Sequence, residues 1–92
     1  MKRILKYPLK PTDVQFISIP SDTVLSVQEQ RNEVVIYAIT DSEHPLINHE
    51  IRVIGTGHTI DFNVAKYGFL GTVKLYNGEL MFHVFWRIYD CE

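Results

Sequence analysis

The feature that most constrains the fold is a long alternating segment near the end of the chain. Between Glu79 and Tyr89 every second residue is apolar, and the segment follows Asn77-Gly78. This dipeptide supplies the two positive-φ positions of a two-residue type I′ turn, so we predict a C-terminal β-hairpin. Its returning strand has two faces. The first is an apolar core face (Leu80, Phe82, Val84, Trp86, Ile88), and the second mixes aromatic, imidazole and guanidinium groups (Met81, His83, Phe85, Arg87, Tyr89).

Short apolar segments separated by turn residues fill the rest of the chain, which is typical of all-β proteins. We predict strands over residues 3–7, 14–19, 23–30, 33–40 and 51–54, with Arg31-Asn32 as a second hairpin tip. In that hairpin, Leu25 and Val27 are expected to share a face, with Val35, Tyr37 and Ile39 as partners. Residues 59–67 fit one helical turn or an irregular loop. The prediction is a small antiparallel sandwich or open barrel of six to seven strands.

Length and composition limit the classes of protein that fit. A chain of 92 residues predicts one domain, 1–92. Nine basic against eleven acidic residues give a net charge of −2, which disfavours binding to a nucleic-acid polymer. The single cysteine, Cys91, gives no internal disulfide. The first residues lack the apolar core of a signal peptide, and no apolar segment is long enough to span a membrane, so we expect a soluble intracellular protein.

The segment Gly55-Thr56-Gly57-His58 admits two interpretations. Glycines allow backbone N–H groups to approach an anion, and a threonine hydroxyl adds a donor. Alternatively, the glycines take positive φ angles at a bulge or corner where a strand ends. A dinucleotide fingerprint needs a third glycine where Ile60 stands, and the Gly-Lys-Ser/Thr of a P-loop is absent. The interpretation of this segment stays open.

No motif predicts a metal site or catalysis. The four histidines have no ligand spacing such as His-x₃-His, and Cys91 lies apart from them (His44, His49, His58, His83). Asp61 is close enough in sequence to orient His58, but no serine or cysteine motif accompanies the pair. We therefore expect a protein that is not an enzyme and that uses no metal or cofactor.

Three segments resemble those of a family of small phage and bacterial β-rich proteins of unassigned function. They are Gly55-Thr56-Gly57-His58, Gly71-Thr72-Val73 and His83-Val84-Phe85, and further matching positions extend the resemblance over most of the chain (Lys6, Tyr7, Pro20, Leu25, Val27, Gln28). The resemblance implies a small, phage-encoded protein that acts in the cytoplasm of a bacterial host. It implies an accessory role, such as interference with host defence, and brings no catalytic residues.

Three functional hypotheses follow, of which the third, an enzyme that acts on a nucleotide, has the least support. In the first, the protein captures a small anionic, nucleotide-derived signal: Gly55, Thr56, Gly57 and His58 donate to phosphate, Arg52 or Arg87 adds charge, and Tyr67, Phe85 or Tyr89 stacks the base. In the second, it is a protein–protein inhibitor or adaptor that docks through an edge strand or through the aromatic face of the C-terminal strand. The face that carries Arg87 also fits a second buried layer, with that arginine reaching the edge. Because free strand edges need cover, we expect a homo-oligomer, most simply a dimer, with the C-terminal strand near the interface.

Overall fold

The computed structural model describes residues 1–10 and 12–89, and within them it is an all-β sandwich. The strands are β1 (Lys2–Pro8), β2 (Val14–Ile19), β3 (Thr23–Gln30), β4 (Glu33–Asp41), β5 (Ile47–Gly55), β6 (Gly68–Leu75) and β7 (Leu80–Ile88). Two short 3₁₀ turns cover Val64–Lys66 and Tyr76–Gly78. The prediction of an all-β fold is confirmed, and of the two alternatives it is the sandwich that forms.

The strands form two antiparallel sheets with orders β1-β4-β3 and β2-β5-β7-β6. The core lies between the sheets, because each strand turns alternate side chains inward. It consists mainly of aliphatic residues: Leu9, Ile19, Val24, Val27, Ile36, Ala38, Ile51, Val53, Val73 and Val84. In the part of the chain that the structure describes, no helix is long and apolar enough to cross a membrane.

A β-bulge in β3 corrects the predicted face of Leu25. The register with β4 shifts between Val24 and Ser26, so Val24 and Val27 both point into the core. The extra residue is Leu25, whose side chain is exposed. Placing Leu25 beside Val27 was therefore wrong, because the bulge breaks the alternation of faces. The expected partners were also wrong, since Val27 pairs with Ile36 and not with Val35, Tyr37 or Ile39.

The two hairpin loops differ from each other. Arg31-Asn32 forms the predicted two-residue tip, with positive φ angles of 54° and 63°. The C-terminal hairpin also forms, but its two-residue turn at Asn77-Gly78 was wrong, because Leu75 pairs with Leu80 across a four-residue loop. The backbone N–H of Tyr76 donates to Asn32 Oδ1 at 3.0 Å. This long-range bond ties the loop to the other hairpin tip.

Strand β7 lies inside the four-stranded sheet, between β5 and β6. Phe82, Val84 and Trp86 turn toward the core as predicted, while Leu80 and Ile88 at the strand ends are exposed. The alternate residues of β7 lie on the outer face, which we define as the face of the four-stranded sheet turned away from the three-stranded sheet. The segment 59–67 is irregular with one 3₁₀ turn, opened by Asn63 Oδ1 accepting from the N–H of Ala65.

Candidate functional site

The outer face gathers charged and aromatic side chains through strand register alone. Glu50 pairs with Arg87 across β5 and β7, and Arg52 pairs with Phe85. Residues two apart on a strand share a face, and directly opposed residues on neighbouring strands lie side by side. The four side chains therefore form one compact group on the outer face.

Glu50 is the centre of this group. Its side chain is almost fully buried, and it accepts a hydrogen bond from Arg87 Nε at 2.7 Å on Oε1. Its other oxygen, Oε2, accepts from Arg52 Nε at 2.7 Å and from the Tyr67 hydroxyl at 2.6 Å. Short bonds to an ionised group are the strong class of hydrogen bond. The carboxylate thus holds two arginines and one tyrosine in fixed positions.

Burial and these donors act in opposite directions on the pKa of Glu50. Burial is the largest single influence and raises the pKa, but hydrogen bonds from Tyr67, Arg87 and Arg52 together lower it below its ordinary value. The pKa of Tyr67 is raised, first by burial and then by its bond to the Glu50 carboxylate. Glu50 is therefore a charged carboxylate, and Tyr67 is a neutral phenol that donates to it.

Aromatic rings complete the group. Phe62 contacts Tyr67 and Phe85 edge-to-face, with ring centroids 4.9 and 5.6 Å apart. The Arg52 guanidinium lies 5.1 Å from the Phe62 centroid, and the Arg87 guanidinium lies 4.8 Å from the Tyr67 centroid. Each guanidinium is held by both a carboxylate and a ring, which limits its motion. We call this set the Glu50 cluster: Glu50, Arg52, Phe62, Tyr67, Phe85 and Arg87.

Exposed apolar residues surround the Glu50 cluster on the same face. Phe69 is 59% exposed and its ring lies 5.2 Å from that of Phe85. Phe16 is 56% exposed and packs edge-on against Tyr89 at 4.9 Å. Val14 and Met81 add further exposed apolar area. The outer face therefore offers an apolar rim around an ordered charged centre.

The Gly-Thr-Gly-His segment forms a turn whose side chains separate. The N–H of His58 donates to Gly55 O at 3.1 Å, and Gly57 has a φ of 90°. A type II turn requires a positive φ of this kind at its third residue. On the outer face, Thr56 Oγ1 lies 2.8 Å from His83 Nε2, and Thr72 Oγ1 lies 2.9 Å from His83 Nδ1. Gly55 has no side chain, and a Cβ there would lie 3.1 Å from His58 Cε1. The His58 ring therefore occupies that space.

The residues expected from the sequence fall into three places. Arg52, Tyr67, Phe85 and Arg87 meet in the Glu50 cluster, and Tyr89 lies on the same face beside Phe16. The turn residues Gly55, Thr56, Gly57 and His58 are outside that cluster. Thr56 contacts His83, and His58 lies over Gly55 at the end of the sandwich. The structure thus brings the arginines and rings together, but not with the glycine turn.

Sequence reasoning missed the central residue, Glu50, and the rings of Phe62, Phe69 and Phe16. One signal was present: Glu50 and Arg52 are two residues apart on a strand, a spacing that puts opposite charges on one face. The remaining contacts join residues that are far apart along the chain.

Charges within the Glu50 cluster are nearly balanced. Two guanidiniums face one carboxylate, and Arg52 Nη1 also lies 4.0 Å from Asp61 Oδ1. Each arginine donates to Glu50 through its Nε. Within residues 1–10 and 12–89, no group of three or more His, Cys, Asp or Glu side chains is placed to hold a metal ion.

Comparison with known proteins gives the family of this chain. A family model described as a domain of unknown function, DUF7352, matches residues 1–90, and the chain belongs to this family. No curated protein and no solved structure matches the chain.

Proposed function

We propose that this chain is a binding module that docks a partner protein through the outer face of its four-stranded sheet. The observation that carries the proposal is the Glu50 cluster, which holds Arg52, Arg87 and Tyr67 in place amid exposed phenylalanines. Arginine, tyrosine and tryptophan dominate the energetics of protein interfaces. Side chains that are already ordered lose less entropy on binding, which favours affinity.

The balance of charge supports a protein partner of a particular chemistry. Because Glu50 and Asp61 offset the two arginines, the site has little surplus charge to attract a polyanion. The terminal nitrogens of Arg52 and Arg87 suit carboxylate or backbone carbonyl oxygens. The exposed rings of Phe16 and Phe69 suit an apolar surface. The proposed partner presents an apolar patch that contains a few hydrogen-bond acceptors.

We also propose that two copies of the chain associate along the edge of β2. Among the described edge strands, β3 and β6 each contain a bulge, and β1 contains charges and a proline (Lys2, Arg3, Lys6, Pro8). Strand β2, from Val14 to Ile19, contains none of these protective features. Antiparallel pairing of two β2 strands opposes no like charges, and it extends the outer face across both copies. Strand β7 then contributes its outer face, not an edge, near the interface.

The biological setting is a proposal that rests on the resemblance described above. In that setting the protein is phage-encoded, acts in the bacterial cytoplasm and inhibits or redirects a host protein, for example one used in defence. A compact, preordered binding surface on a domain of this size supports an inhibitor or adaptor role, because such a role needs recognition and no chemistry.

A second candidate function is capture of a small anionic, nucleotide-derived signal. The observation that favours it is the convergence of Arg52 and Arg87 beside Phe85 and Tyr67, since guanidiniums bind phosphate and aromatic rings stack bases. Against it, the rings already pack against Phe62, and the nearby Thr56 hydroxyl and backbone N–H are engaged within the chain.

Affinity capture from a bacterial lysate, read by native mass spectrometry, tests the main proposal. We expect wild type to retain a protein that Phe69→Ala releases. The matched control is Ile4→Ala, which removes a similarly exposed apolar side chain, at 62%, from the three-stranded sheet. Retention of the partner by folded Phe69→Ala, or its loss from Ile4→Ala as well, contradicts docking through the outer face.

Calorimetry against cyclic and linear nucleotides tests the second candidate, with Arg87→Ala and Thr56→Ala beside wild type. Binding that Arg87→Ala removes supports capture, and absence of binding at physiological salt rejects it.

Light scattering tests the dimer. The expected mass is twice the 10.7 kDa of the chain. Ser18→Lys places like charges on the paired edges and should give monomers, whereas Gln28→Lys on β3 should not. A monomeric wild type at micromolar concentration rejects this proposal.

A further inference from the structure

We propose that the open end of the sandwich is a second binding site, one that takes a neutral, mainly apolar small molecule. A cavity of about 580 Å³ lies between the two sheets at the end where both hairpin tips are found. Ligand pockets commonly have volumes of about 300–1,000 Å³ and predominantly apolar walls. This site is independent of the outer face, and it rests on different residues.

The walls of the cavity are core residues that the rest of the core does not cover. They are Leu9, Val34, Val53, Leu75 and Phe82, and the exposed Leu80 lies at the rim. Val53 is 9% exposed although it lies on β5, an interior strand of the sheet. Its cross-strand partner Val84 and its neighbour Ile51 on the same strand are both 0% exposed. Interiors are normally packed without such gaps. The core is therefore filled at its middle and left open at this end.

One residue at the mouth of the cavity has a backbone conformation that costs free energy. Tyr76 lies at the mouth with a φ of 51°, and a bulky residue is a genuine outlier in this left-handed region. Its N–H bond to Asn32 Oδ1 joins the two hairpin tips that flank the opening. Strain of this kind persists only where the surroundings enforce it, and it concentrates at ligand sites. This bond fixes the two tips relative to each other at the opening of the cavity.

The polar groups of the cavity define the class of ligand. Asp13 and Glu33 contribute two carboxylates, against one ammonium group from Lys10, so an anionic molecule is disfavoured. The His58 imidazole, folded against Gly55, reaches the cavity wall and offers one hydrogen bond. The mainly apolar walls make burial of any charged group costly, so the site suits an uncharged molecule with an apolar body and one hydrogen-bonding group, such as an aromatic amine.

Fluorescence titration with N-phenyl-1-naphthylamine, a neutral apolar amine, tests the site on the full chain. We expect saturable binding of one probe per chain to wild type. Val53→Phe should project a ring into the cavity and obstruct the probe, so it should keep the melting temperature near that of wild type and weaken binding at least 10-fold. The matched variant is Val84→Phe. Val84 is the cross-strand partner of Val53 and lies in the filled part of the core, so the added ring should clearly lower the melting temperature.

Two further variants keep the result interpretable. Leu80→Lys changes an exposed residue of the rim, so it should fold normally, and its charge should also weaken probe binding at least 10-fold. Phe69→Ala removes an exposed ring of the outer face and should bind the probe like wild type. The inference is overturned if wild type shows no saturable binding or if folded Val53→Phe and Leu80→Lys bind normally. It is also overturned if Phe69→Ala abolishes binding, or if Val53→Phe is as destabilised as Val84→Phe.

Discussion

The two sides of β5 bury a polar residue in different ways. His49 and Glu50 are neighbours in sequence, they point to opposite faces of the sheet, and both are essentially inaccessible to solvent. In the core, His49 Nε2 makes one bond of 2.7 Å to the carbonyl of Ser21, and its Nδ1 has no partner among the described residues. On the outer face, Glu50 accepts from three side chains.

The two residues differ in the protonation state that their surroundings favour. Burial is the main cause that lowers the pKa of His49, and it outweighs the bond to Ser21, so the imidazole stays neutral. The pKa of Glu50 is lowered in spite of burial, because its three donors favour the charged carboxylate. A side chain between the sheets reaches few donors and becomes neutral. One on the outer face is reached by long arginines and remains ionised.

The largest effect is expected for Glu50→Ala, which leaves two arginines without their carboxylate. Removing one partner of a buried ion pair costs about 3–5 kcal/mol. Because the two guanidiniums are 26% and 34% exposed, water can partly replace Glu50, and we expect a loss of about 2–3 kcal/mol. Urea denaturation measures this loss. The control is Glu43→Ala, whose side chain is 88% exposed and should change stability little. A loss equal to that of the control would show that the Glu50 cluster is not stabilising.

A smaller effect is expected for Tyr67→Phe, which removes one of the three donors and keeps the ring under Arg87. A hydrogen bond to a charged group is worth about 1.5–3 kcal/mol, and the two remaining arginines should limit the loss to about 1–1.5 kcal/mol. Denaturation beside Glu50→Ala and the double variant measures the coupling of the two residues. Simple additivity of the two losses would mean that the hydroxyl acts on something other than Glu50.

The smallest effect is a pH dependence that separates the two faces. The folded-state pKa of His49 is below its ordinary value, so its contribution to stability is complete above about pH 6.5 and is lost as the pH falls below that. For Glu50 the pKa is also lowered, so its contribution is complete above about pH 4.5 and is lost only in stronger acid. Urea midpoints across this range should decline in two steps, and His49→Gln should remove the first. A first step that survives in His49→Gln would assign it elsewhere.

The local parts of the fold were predictable and the long-range parts were not. Alternation along β7 is a property of neighbouring residues, so the core positions of Phe82, Val84 and Trp86 could be predicted. The bulge at Leu25 was missed because alternation assumes an unbroken register. The turn after Leu75 was missed because its geometry depends on Asn32, which lies 44 residues from Tyr76.

The candidate site was predicted only in part for a similar reason. The sequence predicted a strand over residues 51–54, whereas β5 begins at Ile47, so Glu50 was left outside the predicted strand. A glutamate at the edge of a polar stretch normally indicates solvent exposure. Its burial depends on Tyr67 and Arg87, which are 17 and 37 residues away, and no local pattern contains that information.

The imidazole of His83 determines the direction of the hydrogen bonds made by two neighbouring threonine hydroxyls. In its neutral form an imidazole carries one proton, so in that form one of the hydroxyls of Thr56 and Thr72 accepts a hydrogen bond from the ring while the other donates to it. Moving the ring proton between the two nitrogens reverses both roles at once. The hydroxyl directions of Thr56, in the turn after β5, and of Thr72, on the edge strand β6, are therefore coupled through His83 on β7, which lies between them. A molecule that fixes the direction of the Thr56 hydroxyl also fixes that of Thr72, without any movement of the backbone.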